Sequence, residues 1–234
     1  MRGNLQIFNG LSPELWESLW LTLQLAFVVM ILLLWVSTPL AYWLSRSQRR
    51  GMIILETLVS LPIVLPPTVI GFYLLMLFSP QRSFGAFWLN LTGETLTFSF
   101  EGLVIGSVIY SLPYAVQPIL NSFRSVRQDY IDAALTLGAT RLEIFWHVIL
   151  PLSKGGMGVG AILGFAHTLG EFGVVVMLGG SIPGRTKVAS IALYDEVQKL
   201  NYETAHAFAL ILLLISFFML LIMTVIQRRI EREM

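Results

Sequence analysis

Glu171 is an ionisable residue inside the apolar run Gly164-Phe165-Ala166-His167-Thr168-Leu169-Gly170-Glu171-Phe172-Gly173. A charge placed inside a bilayer is expensive and marks a functional position. A carboxylate is a poor direct ligand for an anion. Glu171 is therefore expected to act structurally or in gating, bonded to neighbouring donors. His167, one helical turn earlier, is either its partner or a neutral core histidine. The other histidines, His147 and His206, are scattered. No Ser/His/Asp set has usable spacing, no carboxylates pair in a cleft-like context, and no histidine cluster suits a metal. The chain has no cysteine, which excludes disulfides and thiolate metal sites. It also has no G-x-x-x-x-G-K-[ST] loop, so it is not expected to bind ATP through one. The residues thus suggest no enzyme, no cofactor and no metal site.

The elements that carry these residues are set by composition. Of 234 residues, 56% are hydrophobic and 12% charged, against roughly 25% charged in soluble domains. The mean hydropathy is +0.75. An all-α integral membrane protein is expected, with the bilayer as its main solvent. A net charge of +1 gives no reason to expect nucleic acid. A spanning helix needs about 20 mostly apolar residues. Five segments qualify, near 19–44, 53–78, 102–120, 156–179 and 205–226. A sixth is conceivable at Lys187–Leu200, but Asp195, Glu196 and Lys199 place that helix-like stretch at the outer surface or in a re-entrant position. No linker divides the chain, so 1–234 reads as one domain. The first 18 residues hold Glu14 and Glu17 and do not resemble a cleavable signal.

Basic residues set the orientation, because cytoplasmic connections collect Lys and Arg. Arg46, Arg49, Arg50, Arg124, Arg127, Arg141, Lys154, Arg228, Arg229 and Arg232 share one side. Arg2, Arg82, Arg185, Lys187 and Lys199 share the other. The first side is expected to be cytoplasmic, with the N-terminus outside and the C-terminus inside. Trp16, Trp20, Trp43 and Trp88 suit interfacial belts.

Three further segments stand out. Asp132-Ala133-Ala134, Gly138 and Val148-Ile149-Leu150-Pro151 form a patch of charged and small residues between apolar runs. Such a patch makes sense as a surface gripped by another protein. Gln128–Leu137 is expected to be a short helix ended by Gly138 in a left-handed cap. Arg141–Ile149 is expected to be a second helix, with Pro151 starting the next span. In Leu61-Pro62-Ile63-Val64-Leu65-Pro66-Pro67-Thr68 three prolines must break the second span. A broken helix at membrane depth is tolerated where it lines a cavity or is buried in protein, which makes Pro66, Pro67 and Thr68 candidates for a translocation path. Gly156, Gly160 and Gly164 make a smooth stripe for helix packing.

The pattern acidic-Ala-Ala-x3-Gly-x9-aliphatic-x-Leu-Pro resembles the loop by which ABC importer permeases dock on their ATPase subunits. Asp132 stands where Glu is usual and Val148 where Ile is usual. Leu65–Leu75 looks like the second helix of molybdate importer permeases; related sulfate permeases usually lack the double proline. Leu169–Gly173, followed by Ser181-Ile182-Pro183-Gly184-Arg185-Thr186, is similar to molybdate and sulfate permeases. In many of them Asn replaces Ser181 and Arg often replaces His167. The resemblance covers about 15–228. It implies the type I ABC importer permease fold and a multi-pass protein of the cytoplasmic membrane of a bacterium or archaeon. A homodimer would sit on two ABC ATPase subunits and receive molybdate from an extracytoplasmic oxyanion-binding protein. Sulfate, tungstate and thiosulfate are alternative cargoes, and an ATP-independent secondary transporter is the alternative class. The docking residues carried over are Asp132, Ala133, Ala134, Gly138, Leu150 and Pro151. Path or gate candidates are Pro66, Pro67, Thr68, His167 and Glu171. Arg185 and Lys187 are expected at the outer mouth, attracting an anion, contacting the binding protein or simply solvated.

Overall fold

The structure is a computed structural model that describes residues 12–47 and 51–232, with side chains described to 229. The N-terminal placement, Arg2, Arg49, Arg50 and the Arg232 side chain lie outside the described residues. So does most of the stretch read as lacking a signal.

Among the described residues the chain is helical, with no strand. Three helices are individually long and apolar enough to cross a membrane. They are α1 (Pro13–Arg46), α5 (Phe100–Ser125) and α12 (Tyr202–Arg232). Two further spans are bent. α2 (Gly51–Ser60) runs into a 3-10 turn at Leu61–Ile63 and is followed by α3 (Pro67–Phe78) at 107°. Pro62, Pro66 and Pro67 each lack the N–H that would continue the helix, so the backbone turns where the sequence requires it. The second bend, 68°, separates Arg141–Leu152 from α9 (Lys154–Leu169). The count of five spans holds if each bent pair crosses once.

The remaining helices are short: α4 (Ser83–Thr92), α6 (Gln128–Thr136), α7 (Arg141–Ile144), α8 (Leu150–Leu152), α10 (Gly173–Gly179) and α11 (Ala189–Gln198). A π-helical turn, Phe145–Ile149, joins α7 to α8. The expected second helix of 128–151 is therefore α-helical for one turn only. Pro151 lies inside α8 rather than at the start of the next span; the bend falls at Ser153. The expected span 156–179 is also interrupted. α9 ends at Leu169, and α10 begins after Gly170-Glu171-Phe172. Gly170 caps α9, and the short helix α10 follows. Helix α4 was not expected at all, whereas α11 fits the helix-like reading of Lys187–Leu200.

α5 is central, packing against α1, α9, α10, α2 and α3. Ser99 starts it, accepting a hydrogen bond from Gly102 N at 3.1 Å. The glycine stripe on α9 packs as expected. A Cβ on Gly156 would lie 2.3 Å from Ser122 Cβ, on Gly160 2.9 Å from the Ala115 carbonyl, and on Gly164 2.7 Å from Leu33. Only glycine lets α9 approach α5 and α1 this closely. One apolar cluster, with Leu25, Leu33, Phe78, Leu103 and Leu178, fills the middle. A second, with Leu44, Phe123, Ile144 and Ile149, seats the elbow of α6–α8 under the ends of α1 and α5. A third joins α1 to α11 and α12 through Leu15, Leu19, Ala192 and Phe208.

Candidate functional site

Two features can do work: the exposed elbow at 128–152 and the place where the two interrupted spans meet. At the elbow, α6 has no buried residue. Gly138 follows it with φ +83, a left-handed value that costs a residue with a Cβ about 1–2 kcal/mol. The chain then re-enters helix at Thr140, where a capping box is complete. Thr140 Oγ1 accepts from Glu143 N at 3.3 Å, and Glu143 Oε2 accepts from Thr140 N at 2.7 Å. The backbone and hydroxyl donors of Thr140 hold the Glu143 carboxyl below its ordinary value. His147 Nδ1 lies 3.0 Å from the Glu143 carbonyl and faces solvent.

Of the six docking residues, Asp132, Ala133 and Gly138 are exposed. Ala134 and Leu150 instead pack on the apolar cluster beneath, and Pro151 is half-buried. Ala134 therefore adds little to the smooth face expected of the alanine pair. The structure adds large exposed apolar residues that motif reading missed. Leu137 is 89% exposed, Leu142 68% and Trp146 55%, with Tyr130 and Leu135 also out. Large apolar side chains left exposed on short charged helices are candidates for an interaction site. The available signal was apolar residues interleaved with Asp129, Asp132, Arg141 and Glu143 on short helices.

The second feature lies where α3 and α10 both begin. Their starts pack against each other: a Cβ on Gly173 would lie 2.6 Å from Pro67 Cβ and 3.3 Å from Thr68 N. One turn on, a Cβ on Gly71 would meet Met177 Cβ at 2.7 Å. The proline break and the Glu171 break, with Pro67 and Glu171 104 positions apart in sequence, are thus one place. Pro66 and Thr68 are exposed there, and Pro67 is half-buried.

Glu171 departs from expectation. Its side chain is buried, at 5% exposure, and neither carboxylate oxygen has a hydrogen-bond partner among the described residues. Ser107 stands near the carboxyl, but its hydroxyl is also unpartnered. The residue is anchored by its backbone instead: Ser190 Oγ donates to the Glu171 carbonyl at 2.6 Å. His167 is not its partner. An i, i+4 contact needs continuous helix, and α9 ends at Leu169.

His167 belongs to a different network. Its Nδ1 lies 2.9 Å from Ser111 Oγ, which lies 3.2 Å from Thr168 Oγ1. Thr168 Oγ1 donates to the Gly164 carbonyl at 2.9 Å. A hydroxyl has one hydrogen. The Thr168 hydrogen is committed to Gly164, so Thr168 accepts from Ser111, and Ser111 in turn accepts from His167 Nδ1–H. The ring stacks on Tyr114 at 3.9 Å and tilts against Tyr110 at 4.7 Å.

The expected outer-mouth cations are both paired. Arg185 is exposed and bonds Glu94 at 3.3 Å. Lys187, at 7% exposure, turns inward and bonds Asp195 at 3.0 Å. Ser181 Oγ donates to the same Asp195 oxygen at 2.7 Å. Burial works against the Asp195 charge, yet Ser181 and Lys187 outweigh it and hold the carboxyl below its ordinary value. The open-mouth reading is corrected for Lys187, whose charge is used inside the protein. Among the described residues no group of His, Asp or Glu is arranged to hold a metal.

Bent apolar spans with an exposed elbow between them are compatible with a subunit of a membrane transport system. Residues 37–232 match the family described as the binding-protein-dependent transport system inner membrane component, and the chain belongs to it. It is 45% identical to the molybdenum transport system permease protein ModB of Azotobacter vinelandii, over 86% of this chain and 88% of that one. It is 33% identical to the putative molybdenum transport system permease protein YvgM of Bacillus subtilis (strain 168), over 89% and 92%. It is 31% identical to the sulfate transport system permease protein CysT of Escherichia coli (strain K12), over 95% and 80%. In fold it matches a chain of a bacterial ABC transporter involved in alginate import, with TM-score 0.79 and 16% identity over 98% of this chain and 84% of that one. The fold is that of the type I ABC importer permeases.

Proposed function

We propose that this chain is the membrane-spanning, non-catalytic subunit of an ATP-driven, binding-protein-dependent importer that carries molybdate across the cytoplasmic membrane of a bacterium or archaeon. The observation that carries the class is the exposed helix–Gly138–helix elbow, apolar on its outer side and seated on the bundle by Ile144 and Ile149. The cargo rests on 45% identity to a molybdenum permease along most of both chains.

Two copies form the pore and two ATPase subunits sit beneath it. Each ATPase receives one elbow, with Asp132, Ala133 and Gly138 at the contact and Leu137, Leu142 and Trp146 as apolar anchors. Closure of the ATPase dimer on ATP draws the two elbows together. A ligand shifts a two-state protein only through differential affinity for its states, and the ATPase dimer supplies that difference here. The meeting point of α3 and α10 carries the moving part of the path, with Pro66, Pro67 and Thr68 on one side and Glu171 on the other. An extracytoplasmic oxyanion-binding protein selects the cargo, so the pore itself needs little charge. Arg46 and Arg141 line one groove at the elbow end, which supports placing that end in the cytoplasm.

Sulfate is the second cargo reading, favoured by the 31% identity to a sulfate permease. The test is uptake of labelled molybdate by vesicles holding the assembled complex and its binding protein, with and without ATP, and with excess sulfate or tungstate. ATP-dependent uptake resistant to sulfate supports the proposal, and uptake abolished by sulfate moves the cargo to sulfate. Uptake without ATP would overturn the importer mechanism in favour of a secondary transporter.

A further inference from the structure

Helix α5 carries its larger polar side chains beyond the first turn along one line, apart from small serines such as Ser111 and Ser122. Tyr110, Tyr114, Gln117, Asn121 and Arg124 recur at intervals of four, three, four and three residues, which puts them on one face of a helix with 3.6 residues per turn. The first three are half-exposed and Asn121 is exposed, whereas Ala115, Val116, Ile119 and Leu120 are buried. The row touches both bent spans. Gln117 Nε2 donates to Ser60 Oγ at 2.7 Å, at the end of α2. Tyr114 stacks on His167 of α9. The 3-10 turn at Leu61–Ile63 packs on the same helix. At the far end Arg124 is held by both oxygens of Glu56, at 3.1 and 2.7 Å, so its charge is matched.

Among the described residues the Tyr110 and Tyr114 hydroxyls and the Asn121 amide bond nothing. Unpaired donors facing lipid would be costly, and an interrupted backbone at membrane depth is tolerated only beside protein or a water-filled cavity. Both conditions meet on this face. A tetrahedral oxyanion presents only acceptor oxygens. A succession of O–H and N–H donors with no unmatched cation can solvate it at each level without trapping it, as passage through a pore requires.

We propose that this row is the oxyanion-conducting surface of the subunit, with Tyr110, Tyr114, Gln117 and Asn121 donating in turn to the passing anion. His167 is a positioning residue: its stacked ring fixes Tyr114, and its Nδ1–H is spent on Ser111. The inference rests on the importer reading above and extends it to the residues that touch the cargo.

The chain's lack of cysteine makes the test direct. Tyr114→Cys, Gln117→Cys and Asn121→Cys are made singly in the assembled complex and exposed to a charged, water-soluble thiol reagent, with and without ATP. Leu213→Cys, on the exposed apolar side of α12, is the comparator. Thiols on the row are expected to react about tenfold or more faster than the comparator, since reaction needs water and thiolate, and molybdate is expected to slow them. Slowing by sulfate and not by molybdate would uphold the row while removing the molybdate reading. Reaction no faster than at Leu213→Cys, or fast reaction that no oxyanion slows, would overturn the proposal. Tyr114→Phe keeps the ring on His167 and removes only the hydroxyl. It is expected to cut ATP-dependent uptake about tenfold, the worth of one hydrogen bond to a charged group, with assembly unchanged. Full uptake by Tyr114→Phe combined with Tyr110→Phe would equally overturn it.

Discussion

A buried carboxylate needs donors to offset the water it loses, and Glu171 has none on its side chain. Replacing it by an isosteric amide therefore removes no side-chain hydrogen bond. Glu171→Gln is expected to leave expression, assembly and thermal unfolding in detergent close to the parent. If the carboxyl gates the path, the same variant lowers ATP-dependent uptake several-fold or more. Uptake equal to the parent would make the charge dispensable. That Glu171 is an unusual position was readable from an ionisable residue in an apolar run. Its lack of partners was not, because the expected pairing with His167 assumed an unbroken helix through Gly170. His167 shows the same limit: its partner Ser111 lies 56 positions earlier, and no local spacing reveals such a bond.

At the scale of elements, the elbow combines a feature legible in sequence with one that needed the fold. Gly138 at a left-handed φ, after a helix from Gln128, follows from chain chemistry alone. The exposure of Leu137 and Leu142 follows only once the apolar cluster is seen to lie on the other side of α6 and α7. Leu137→Asp is expected to keep the chain folded, since that side chain is almost fully exposed, and to release the ATPase subunits during copurification. Retention of the ATPase at parental stoichiometry would remove Leu137 from the contact. Gly138→Val should strain the turn by about 1–2 kcal/mol and weaken ATPase retention through altered helix placement. The proline break was legible for the same reason as Gly138, whereas its meeting with the Glu171 break was not, because the two are tertiary neighbours through Gly71 and Gly173.

Helix α11 supplies a pH prediction. The Lys187–Asp195 pair couples α11 to the loop before it, with Asp195 held below its ordinary value. Unfolded aspartate titrates near 3.9. The pair's contribution is fully present above that value and is lost as pH falls through the lower folded value. Asp195→Asn strands a buried ammonium and is expected to cost about 3–5 kcal/mol at neutral pH, while flattening the loss of stability on the acid side. Melting curves of both proteins in detergent from neutral to acid pH check this. Coincident curves would show that the pair contributes nothing.

For the whole molecule the open quantity is sidedness. The basic residues of the elbow end and the α11 end lie at opposite poles of the bundle, as the second and third apolar clusters mark. Ser125→Cys and Gln198→Cys are both exposed positions in a chain without native thiols. An impermeant reagent added to intact cells is expected to label Gln198→Cys and to reach Ser125→Cys only after permeabilisation. The reverse pattern would invert the protein and remove the elbow from the cytoplasm. Composition made the class of this molecule plain, and the order of its spans was readable from hydropathy. The interruptions at Ser153 and at Gly170–Phe172 were harder, since apolar residues on both sides hide a break in the helix.

The 68° bend at Ser153 has a mechanical consequence. The elbow forms the short arm of a bell crank and α9 the long arm, with the pivot buried against the bundle. A displacement of the short arm along its own axis emerges as sideways travel of the long arm. The glycine rail of α9 bears directly on α5 and α1, so any such travel would be guided as sliding between smooth backbones rather than absorbed by side chains giving way. A methyl group at Gly160 would push against the Ala115 carbonyl and hold the long arm off its rail, so a push on the short arm would reach α5 and α1 weakened.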